Sequence, residues 1–225
     1  MIKELLTLSL NINIFKSIYL NFRYLPFRKA CHFPIWVYRR TSLRKVRGKI
    51  IFNAPIQTGM LRIGPHGLGT QDILYSRTIW EVAGVLTING KVCLGRGSKI
   101  CIGFNGNMIL GNSFCITGNS TLICEKKVSF GSNCLLSWDI LIMDTDFHYI
   151  LDDTNLIINE PCPIKIGNNV WIGCRSVILK GCIIPNGTII AANSTISKSF
   201  SLENCILGGH GKNCLIIKRN VHWRR

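Results

Sequence analysis

The chain has 225 residues, carries 27 Lys and Arg against 11 Asp and Glu, a formal net charge of +16, and is 47% hydrophobic. This length and hydrophobic fraction favour one domain with a substantial core and exclude a wholly disordered chain. No run of about 18 apolar residues is present, so a transmembrane helix is not predicted.

The positive charge is concentrated at the two ends of the chain. Residues 1–47 carry ten Lys and Arg against Glu4, residues 201–225 carry five against Glu203, and residues 48–200 carry twelve against nine acidic residues. A basic excess can indicate binding to nucleic acid, an acidic membrane surface or a phosphorylated ligand. No nucleic-acid-binding module accompanies the charge, so nucleic acid is not a predicted partner.

The first 47 residues form a basic amphipathic segment in which Ile14, Ile18 and Phe22 share one face of a predicted short helix. Two interpretations of this segment remain open. One is a peripheral contact with the anionic inner face of the inner membrane, where each basic residue adds about 1 kcal/mol. The other is a short helix that packs on the following domain and covers its open end. The two interpretations are compatible.

Eleven cysteines are dispersed among hydrophobic residues, with no Cys-x-x-Cys pair. The N-terminal stretch is interrupted by Asn11 and Asn13 and lacks a small-residue cleavage site, so no cleavable signal peptide is predicted. We therefore expect reduced thiols that fill the core of a cytoplasmic protein.

From Gly48 onward the sequence changes to short extended pieces punctuated by glycine, and a six-residue period becomes regular near residue 166. Aliphatic residues recur at that spacing at Ile166, Ile172, Ile178, Ile184, Ile190 and Ile196. Four positions after the first five of these come modest side chains: Val170, Ser176, Cys182, Thr188 and Ser194. Six is not a helical period, and it predicts a coil of short flat strands with every sixth side chain in one stacked core column.

Weaker repeats precede this region. Leu110, Ile116, Leu122 and Val128 keep the period of six, and Phe130, Leu136 and Ile142 resume it with a displacement of two. The displacement predicts a bulge or a lengthened corner around residues 124–128. The sequence therefore divides into the basic segment 1–47, a β-helix domain over 48–200 with a loop excursion at 144–163, and a basic tail over 201–225 that packs on the coil.

The repeat, together with SWDILIMDTDFHYI followed by IGNNVWIG and the early NFRYLPFRKACHFPIWVYRR, resembles the hexapeptide-repeat acyltransferases. Within that superfamily the chain is similar to the bacterial polysaccharide and capsule O-acetyltransferases. The resemblance implies an all-β fold, a left-handed parallel β-helix. It also implies acetyl-CoA as acyl donor and a homotrimer with each active site between neighbouring coils.

Catalytic roles follow from the same resemblance. It places the catalytic histidine on His148, whose imidazole can accept the proton of a sugar hydroxyl as that hydroxyl attacks the thioester. Asp144 and Asp146 are candidates to accept the other ring N–H and fix the tautomer. Trp171 faces outward next to Ile172 and is a candidate to line the acetyl site and offer its N–H to the thioester oxygen. Subunit packing is the alternative role for Trp171.

By resemblance, the contact positions for the CoA donor are Trp171, Cys174, Ala192, Ser197, Lys198, Lys218 and Arg219. Lys198 matches a phosphate-contacting lysine, and the two tail residues are candidates for the 3′-phosphate. The tail departs from the pattern, because relatives carry a Gly-Asn-Pro-Ala-Lys-like turn where this chain has Gly-Gly-His-Gly-Lys-Asn. Positions that hold an acceptor hydroxyl in relatives fall near Thr117, Asn119 and Glu125.

The sequence therefore predicts an acetyl-CoA-dependent O-acetyltransferase that acts on a sugar or glycan in cell-surface polysaccharide biosynthesis, without a metal. Direct transfer needs no acyl-enzyme, so Cys174 and Cys182 are not predicted nucleophiles. Three alternatives are open: an amino-sugar N-acetyltransferase, a zinc-dependent β-helix hydratase, and a non-catalytic β-helix binding module.

Overall fold

Short parallel strands stack into a coil with three flat faces in the computed structural model, which describes residues 11–65, 68–69, 71–72 and 74–224. The first ten residues of the predicted N-terminal segment lie outside this set. Strands are numbered β1 to β22 along the chain. Consecutive strands fall on successive faces as far as β20, and β21 and β22 both join the face of β19.

Sheet 1 has nine strands among the described residues: β1 Ile35–Val37, β4 Leu61–Ile63, β7 Val92–Leu94, β10 Phe114–Gly118, β13 Leu135–Trp138, β16 Trp171–Ile172, β19 Ile189–Ile190, β21 Cys205–Gly208 and β22 Leu215–Arg219. Sheet 2 has seven: β2 Thr41–Val46, β5 Thr78–Val82, β8 Lys99–Ile102, β11 Thr121–Cys124, β14 Leu141–Met143, β17 Val177–Ile178 and β20 Thr195–Ile196. Sheet 3 has six: β3 Lys49–Phe52, β6 Val85–Ile88, β9 Asn107–Leu110, β12 Lys127–Phe130, β15 Ile164–Ile166 and β18 Ile183–Ile184.

The six-residue period corresponds to one face of the coil, and three faces complete a turn. Ile172 pairs with Ile190 on sheet 1, and Ile178 pairs with Ile196 on sheet 2, so residues 18 apart are stacked neighbours. The predicted single column is therefore wrong, because isoleucines six apart lie on successive faces. All six of them point into the coil and are at most 2% exposed.

The modest side chains of the repeat also point inward. Each of them lies two positions before one of the isoleucines from Ile172 to Ile196. Ser176 and Thr188 are fully buried, and each hydroxyl donates to a backbone carbonyl, that of Ala191 at 3.1 Å and that of Pro185 at 2.8 Å. Small residues are required at these corners because three faces converge there, and a buried hydroxyl is tolerated because it is hydrogen-bonded.

The predicted irregularity around residues 124–128 is a corner between sheets 2 and 3. Strand β11 continues to Cys124, whose side chain is buried, and β12 starts at Lys127. The intervening backbone is held by the carboxylate of Asp144 from the next turn of the coil. The displacement of two residues is thus a corner of different length that contains a buried acid.

The coil begins before residue 48 and continues after residue 200. Strands β1 and β2 pair in parallel with β4 and β5, and β21 pairs in parallel with β19. Helix α1, Ile14–Tyr24, and the single turn α2, Phe27–Ala30, precede the first strand. At the other end β22 runs antiparallel to β21, after a 3₁₀ turn at Gly211–Asn213.

The cysteines are free thiols, and five of them are buried in the core: Cys124, Cys134, Cys182, Cys205 and Cys214. Burial raises the pKa of Cys124 to about 12 and the pKa of Cys134 and Cys182 to about 11. These thiols act as small apolar side chains. Within the described ranges, no helix is both long enough and apolar enough to span a bilayer.

Candidate active site

His148 lies in the loop between β14 and β15, residues 144–163, which leaves the coil at the corner between sheets 2 and 3. The side chain of His148 is exposed. The residue before it, Phe147, has a φ of +62°, a left-handed conformation that a bulky side chain rarely adopts. Such strain persists only where surrounding contacts fix the backbone, and it is common at functional sites.

Asp144 is fully buried at the base of this loop. Its carboxylate accepts the backbone N–H groups of Glu125, Lys126 and Lys127 at 2.7, 2.8 and 2.7 Å. It follows Met143, which stacks over Ile123, so it continues the inward column that contains Cys124 in the preceding turn. In the part of the chain that the structure describes, no hydrogen bond joins Asp144 to the imidazole of His148. The position of Asp144 indicates that it anchors the loop to the corner below.

Asp146 is held by Lys180 from the next turn of the coil and by Asn159 from its own loop. Its Oδ2 accepts the ammonium of Lys180 at 2.5 Å and the amide N–H of Asn159 at 2.9 Å. These two hydrogen bonds hold the pKa of the Asp146 carboxyl below its usual range, and the one from Lys180 has the larger effect. Among the hydrogen bonds of the described residues none links Asp146 to the His148 ring, so this structure does not bring the predicted His–Asp pair together.

Asn159 is a residue that sequence reasoning did not single out, and its side chain holds the backbone that follows the histidine. Its Nδ2 donates to the carbonyl of His148 at 2.8 Å, and its Oδ1 accepts the N–H of Ile150 at 2.6 Å. The Lys180 ammonium also donates to the Asn159 carbonyl at 2.6 Å. Asn159 and Lys180 together therefore fix the loop around His148.

Trp171 opens β16 on sheet 1 and is 37% exposed. Its indole N–H donates to the hydroxyl of Ser137 at 3.2 Å. Its ring lies against that of Trp223, with centroids 6.1 Å apart and planes tilted by 46°. The indole N–H of Trp223 donates to the carbonyl of Asn169 at 2.7 Å, which ties the C-terminal tail to the same turn of the coil. No local pattern near Trp223 indicates this contact, because its partners are distant in sequence.

His148 and Trp171 belong to different edges of the triangular coil. Trp171 precedes the corner from sheet 1 to sheet 2, whereas the His148 loop leaves the corner from sheet 2 to sheet 3. The width of sheet 2 separates these two corners. A single chain therefore provides the two predicted catalytic residues on two edges.

The predicted CoA contacts are likewise distributed over the coil. Cys174 follows β16 and is half-buried, and Ala192 follows β19 and is exposed. Both lie at the same edge of the coil as Trp171. Arg175, on this edge, has a φ of +59°, as does Asn193. The backbone N–H of Asn193 donates to the carbonyl of Cys174 at 2.8 Å, which stacks the two corners.

Ser197 and Lys198 follow β20 and lie at the opposite edge of sheet 2, both exposed. The ammonium of Lys198 donates to the carbonyl of Lys212 at 2.9 Å. Lys218 and Arg219 lie on β22, paired with Ile206 and Cys205 at the start of β21, a third location on the coil. One chain therefore places the predicted CoA contacts at separate locations on the coil.

The predicted acceptor residues are split in the same way. Thr117 and Asn119 lie at the edge that carries Trp171, where the Asn119 amide oxygen accepts the side-chain N–H of Gln71 at 2.6 Å. Glu125 lies at the His148 edge, and its carboxylate lies over Gly103. A Cβ added to Gly103 would be 2.0 Å from Oε2 of Glu125. Burial is the main cause that raises the pKa of Glu125, and the nearby charge of Asp144 raises it further.

A model of bacterial transferase hexapeptide repeats (six repeats) matches residues 163–198. The galactoside O-acetyltransferase of Escherichia coli (strain K12) is 31% identical over 97 residues, 42% of this chain and 47% of that protein. The polysialic acid O-acetyltransferase of Escherichia coli O1:K1 / APEC is 29% identical over 140 residues, 61% of this chain and 42% of that protein. The resemblance to hexapeptide-repeat acyltransferases is confirmed.

The solved structure of the polySia specific acetyltransferase NeuO matches 82% of this chain and 72% of that chain, with a TM-score of 0.55 and 22% identity. This likeness concerns the fold, and the predicted fold class, the left-handed parallel β-helix of the hexapeptide-repeat acyltransferases, is confirmed. The chain spans about half the length of the curated relatives it matches. No group of three or more His, Cys, Asp and Glu side chains within the described ranges is arranged to hold a metal ion.

Proposed function

We propose that the chain is an acetyl-CoA-dependent O-acetyltransferase that acetylates a hydroxyl of a sugar or glycan during cell-surface polysaccharide biosynthesis in the cytoplasm. The observation that carries the proposal is the position of His148. It stands exposed on a loop whose base is fixed by a buried carboxylate and whose middle is fixed by Lys180 and Asn159. Relatives named O-acetyltransferases support the reaction class.

In the proposed reaction the acceptor hydroxyl attacks the thioester carbonyl of acetyl-CoA while His148 takes the hydroxyl proton. The new C–O bond forms, the C–S bond breaks, and the imidazolium returns the proton to the departing CoA thiolate. A fixed loop matters because a base works only within hydrogen-bond reach of the proton it removes. The contacts of Asn159 with the His148 carbonyl and the Ile150 N–H supply that positioning.

Trp171 is proposed to line the acetyl group with its ring face. Its indole N–H already donates to Ser137, so the proposed role no longer includes donation to the thioester oxygen. The stack on Trp223 holds the ring in place while leaving it partly exposed. Cys174 and Ala192 continue the same edge and are the proposed contacts for the pantetheine arm, with Ser197, Lys198, Lys218 and Arg219 as proposed contacts from other edges.

The complete site is proposed to form between chains of a homotrimer. The separation of His148 and Trp171 by the width of sheet 2 supports this arrangement, because an edge of one coil can face a different edge of its neighbour. The His148 loop also exposes a set of large apolar side chains that suits a subunit contact: Phe147, Tyr149, Ile150, Leu151, Leu156, Ile157 and Ile158.

The experiment that tests the reaction offers the purified chain isotope-labelled acetyl-CoA with a panel of hydroxyl sugars and amino sugars. We expect label in an alkali-labile ester on a hydroxyl sugar. Label found only in an alkali-stable amide would replace the proposal with an amino-sugar N-acetyltransferase. Absence of both products, with no acetyl-CoA binding by calorimetry, would indicate a non-catalytic binding module.

A further inference from the structure

Helix α1 faces the protein with Ser17, Leu20 and Asn21, so its buried side includes two polar residues. Ser17 and Asn21 are 4% and 0% exposed, although both are polar. The hydroxyl of Ser17 accepts the N–H of Val37 at 2.9 Å, and the side-chain amide of Asn21 donates to the carbonyl of Ile35 at 2.7 Å. The Asn21 oxygen also accepts the N–H of Ile35 at 3.1 Å.

The reason for this orientation is the open edge of the first strand. Strand β1 pairs with β4 on one side only, so the backbone groups on its other side need partners from elsewhere. Ser17 and Asn21 supply those partners. The rotation of α1 about its axis is therefore fixed by hydrogen bonds to an edge strand, and the expected capping of the open end of the coil is present.

The opposite side of the segment faces outward and is largely apolar. Its side chains, with their exposed fractions, are Ile14 64%, Phe15 85%, Ile18 40%, Tyr19 49%, Phe22 42% and Phe27 72%. We call these six side chains the outer face. The rings of Phe22 and Phe27 lie 5.7 Å apart, so the two helices contribute to one continuous patch. An exposed apolar patch of this kind marks a surface that contacts something other than water.

The segment that carries the outer face is basic. Residues 11–47 contain nine Lys and Arg and no Asp or Glu. Arg28 and Lys29 are exposed on α2 beside Phe27, and Arg23 reaches the carbonyl of Arg47 at the rim. Apolar side chains bordered by positive charge are complementary to a membrane surface, which presents hydrocarbon and negatively charged headgroups together.

We propose that the outer face docks on the surface of an anionic phospholipid bilayer, with the aromatic side chains in the headgroup boundary and the basic rim over the lipid charges. A second copy of this chain is a poorer occupant, because it would bring like charges together. A soluble polyanion would satisfy the charge but leave the six apolar side chains in water. This proposal is independent of the proposed acetyl transfer.

The test is co-sedimentation of the full chain with vesicles of phosphatidylcholine alone and of phosphatidylcholine mixed with phosphatidylglycerol, at low and high salt. Phe15→Ser and Phe104→Ser form a matched pair, because the two phenylalanines are 85% and 83% exposed and only Phe15 belongs to the outer face. Arg28→Glu with Lys29→Glu is matched by Lys126→Glu with Lys127→Glu, a pair of adjacent exposed lysines on the coil.

We expect binding to the phosphatidylglycerol vesicles that weakens with salt. Phe15→Ser should weaken it about fivefold while Phe104→Ser leaves it unchanged, since a partly inserted ring loses most of its burial. Reversal of Arg28 and Lys29 should weaken it at least about tenfold. Equal binding by the matched variants, or no binding, would overturn the proposal. A lower oligomer mass in Phe15→Ser would also overturn it, because the outer face would then contact a second copy of the chain. So would an equal loss of binding to soluble heparin in Phe15→Ser, because the partner would then be a soluble polyanion.

Discussion

The ammonium of Lys180 lies 2.5 Å from Oδ2 of Asp146 and ties the His148 loop to the corner that follows β17. The same ammonium donates to the carbonyl of Asn159, whose side-chain amide in turn binds the His148 carbonyl and the Ile150 N–H. One lysine from the next turn of the coil thus fixes the geometry of the proposed base without touching it.

Replacing Lys180 by Met should loosen the loop and lower kcat about tenfold, because small misplacement of a base is costly. The Kd for acetyl-CoA should stay unchanged, since Lys180 is not a proposed donor contact. Lys180→Arg should restore part of the rate. The measurement is steady-state kinetics with donor binding by calorimetry, and Lys165→Met, an exposed lysine on β15, is the control. Equal rates in the two Met variants would remove the positioning role.

Replacing Trp223 by Ala should raise the KM for acetyl-CoA about fivefold, because an aromatic pair contributes about 1 kcal/mol beyond burial and its loss frees the Trp171 ring. Trp223→Phe should restore most of the affinity. The neighbouring His222→Ala is the control, since that side chain is exposed. A KM unchanged in Trp223→Ala, in a protein that folds normally, would show that the stack does not serve donor binding.

Arg175 adopts a left-handed conformation that asparagine tolerates better, as Asn119 and Asn193 do at other corners. Arg175→Asn should therefore raise the free energy of unfolding by about 0.5–1 kcal/mol, measured by urea denaturation. The converse change, Asn193→Arg, should lower it by a similar amount. A destabilised Arg175→Asn protein would contradict the conformational argument.

The apolar side chains of the His148 loop should hold the proposed trimer together. Leu156→Asp places a charge on a side chain that is 64% exposed in one chain, so it should leave the monomer fold intact and dissociate the oligomer. Sedimentation measures the mass. Phe104→Asp is the control, because Phe104 is 83% exposed but lies outside the loop. An oligomer mass unaffected by Leu156→Asp would place the interface elsewhere.

The fold could be predicted from the sequence because its strongest signal is local. Each isoleucine of the repeat occupies an inward position of a short strand, so the period of six survives in the sequence without reference to distant residues. The number of core columns could not be predicted from this period. A period of six gives the length of one face but does not determine how many faces complete a turn of the coil. Pairing between residues such as Ile172 and Ile190 supplies that information.

The site was less predictable because its partners come from separate turns of the coil. Asp144 is only four residues before the histidine in sequence, yet its carboxylate binds the backbone of the corner at Lys126. Lys180 and Trp223 contact the proposed site only after the coil has formed. The orientation of α1 was hidden for the same reason. Its helical period indicates an apolar face, but the unpaired edge of β1 decides that Ser17 faces inward.

The proposed base is tested most directly by His148→Ala, with His32→Ala as an exposed histidine control. Acetyl transfer to the hydroxyl acceptor and acetyl-CoA binding are measured separately on the same preparations. Loss of a general base predicts a kcat lower by about 100- to 10,000-fold with the donor Kd unchanged, and no loss in His32→Ala. Turnover by a folded His148→Ala protein at the rate of the unaltered chain would contradict the assignment of His148 as the base.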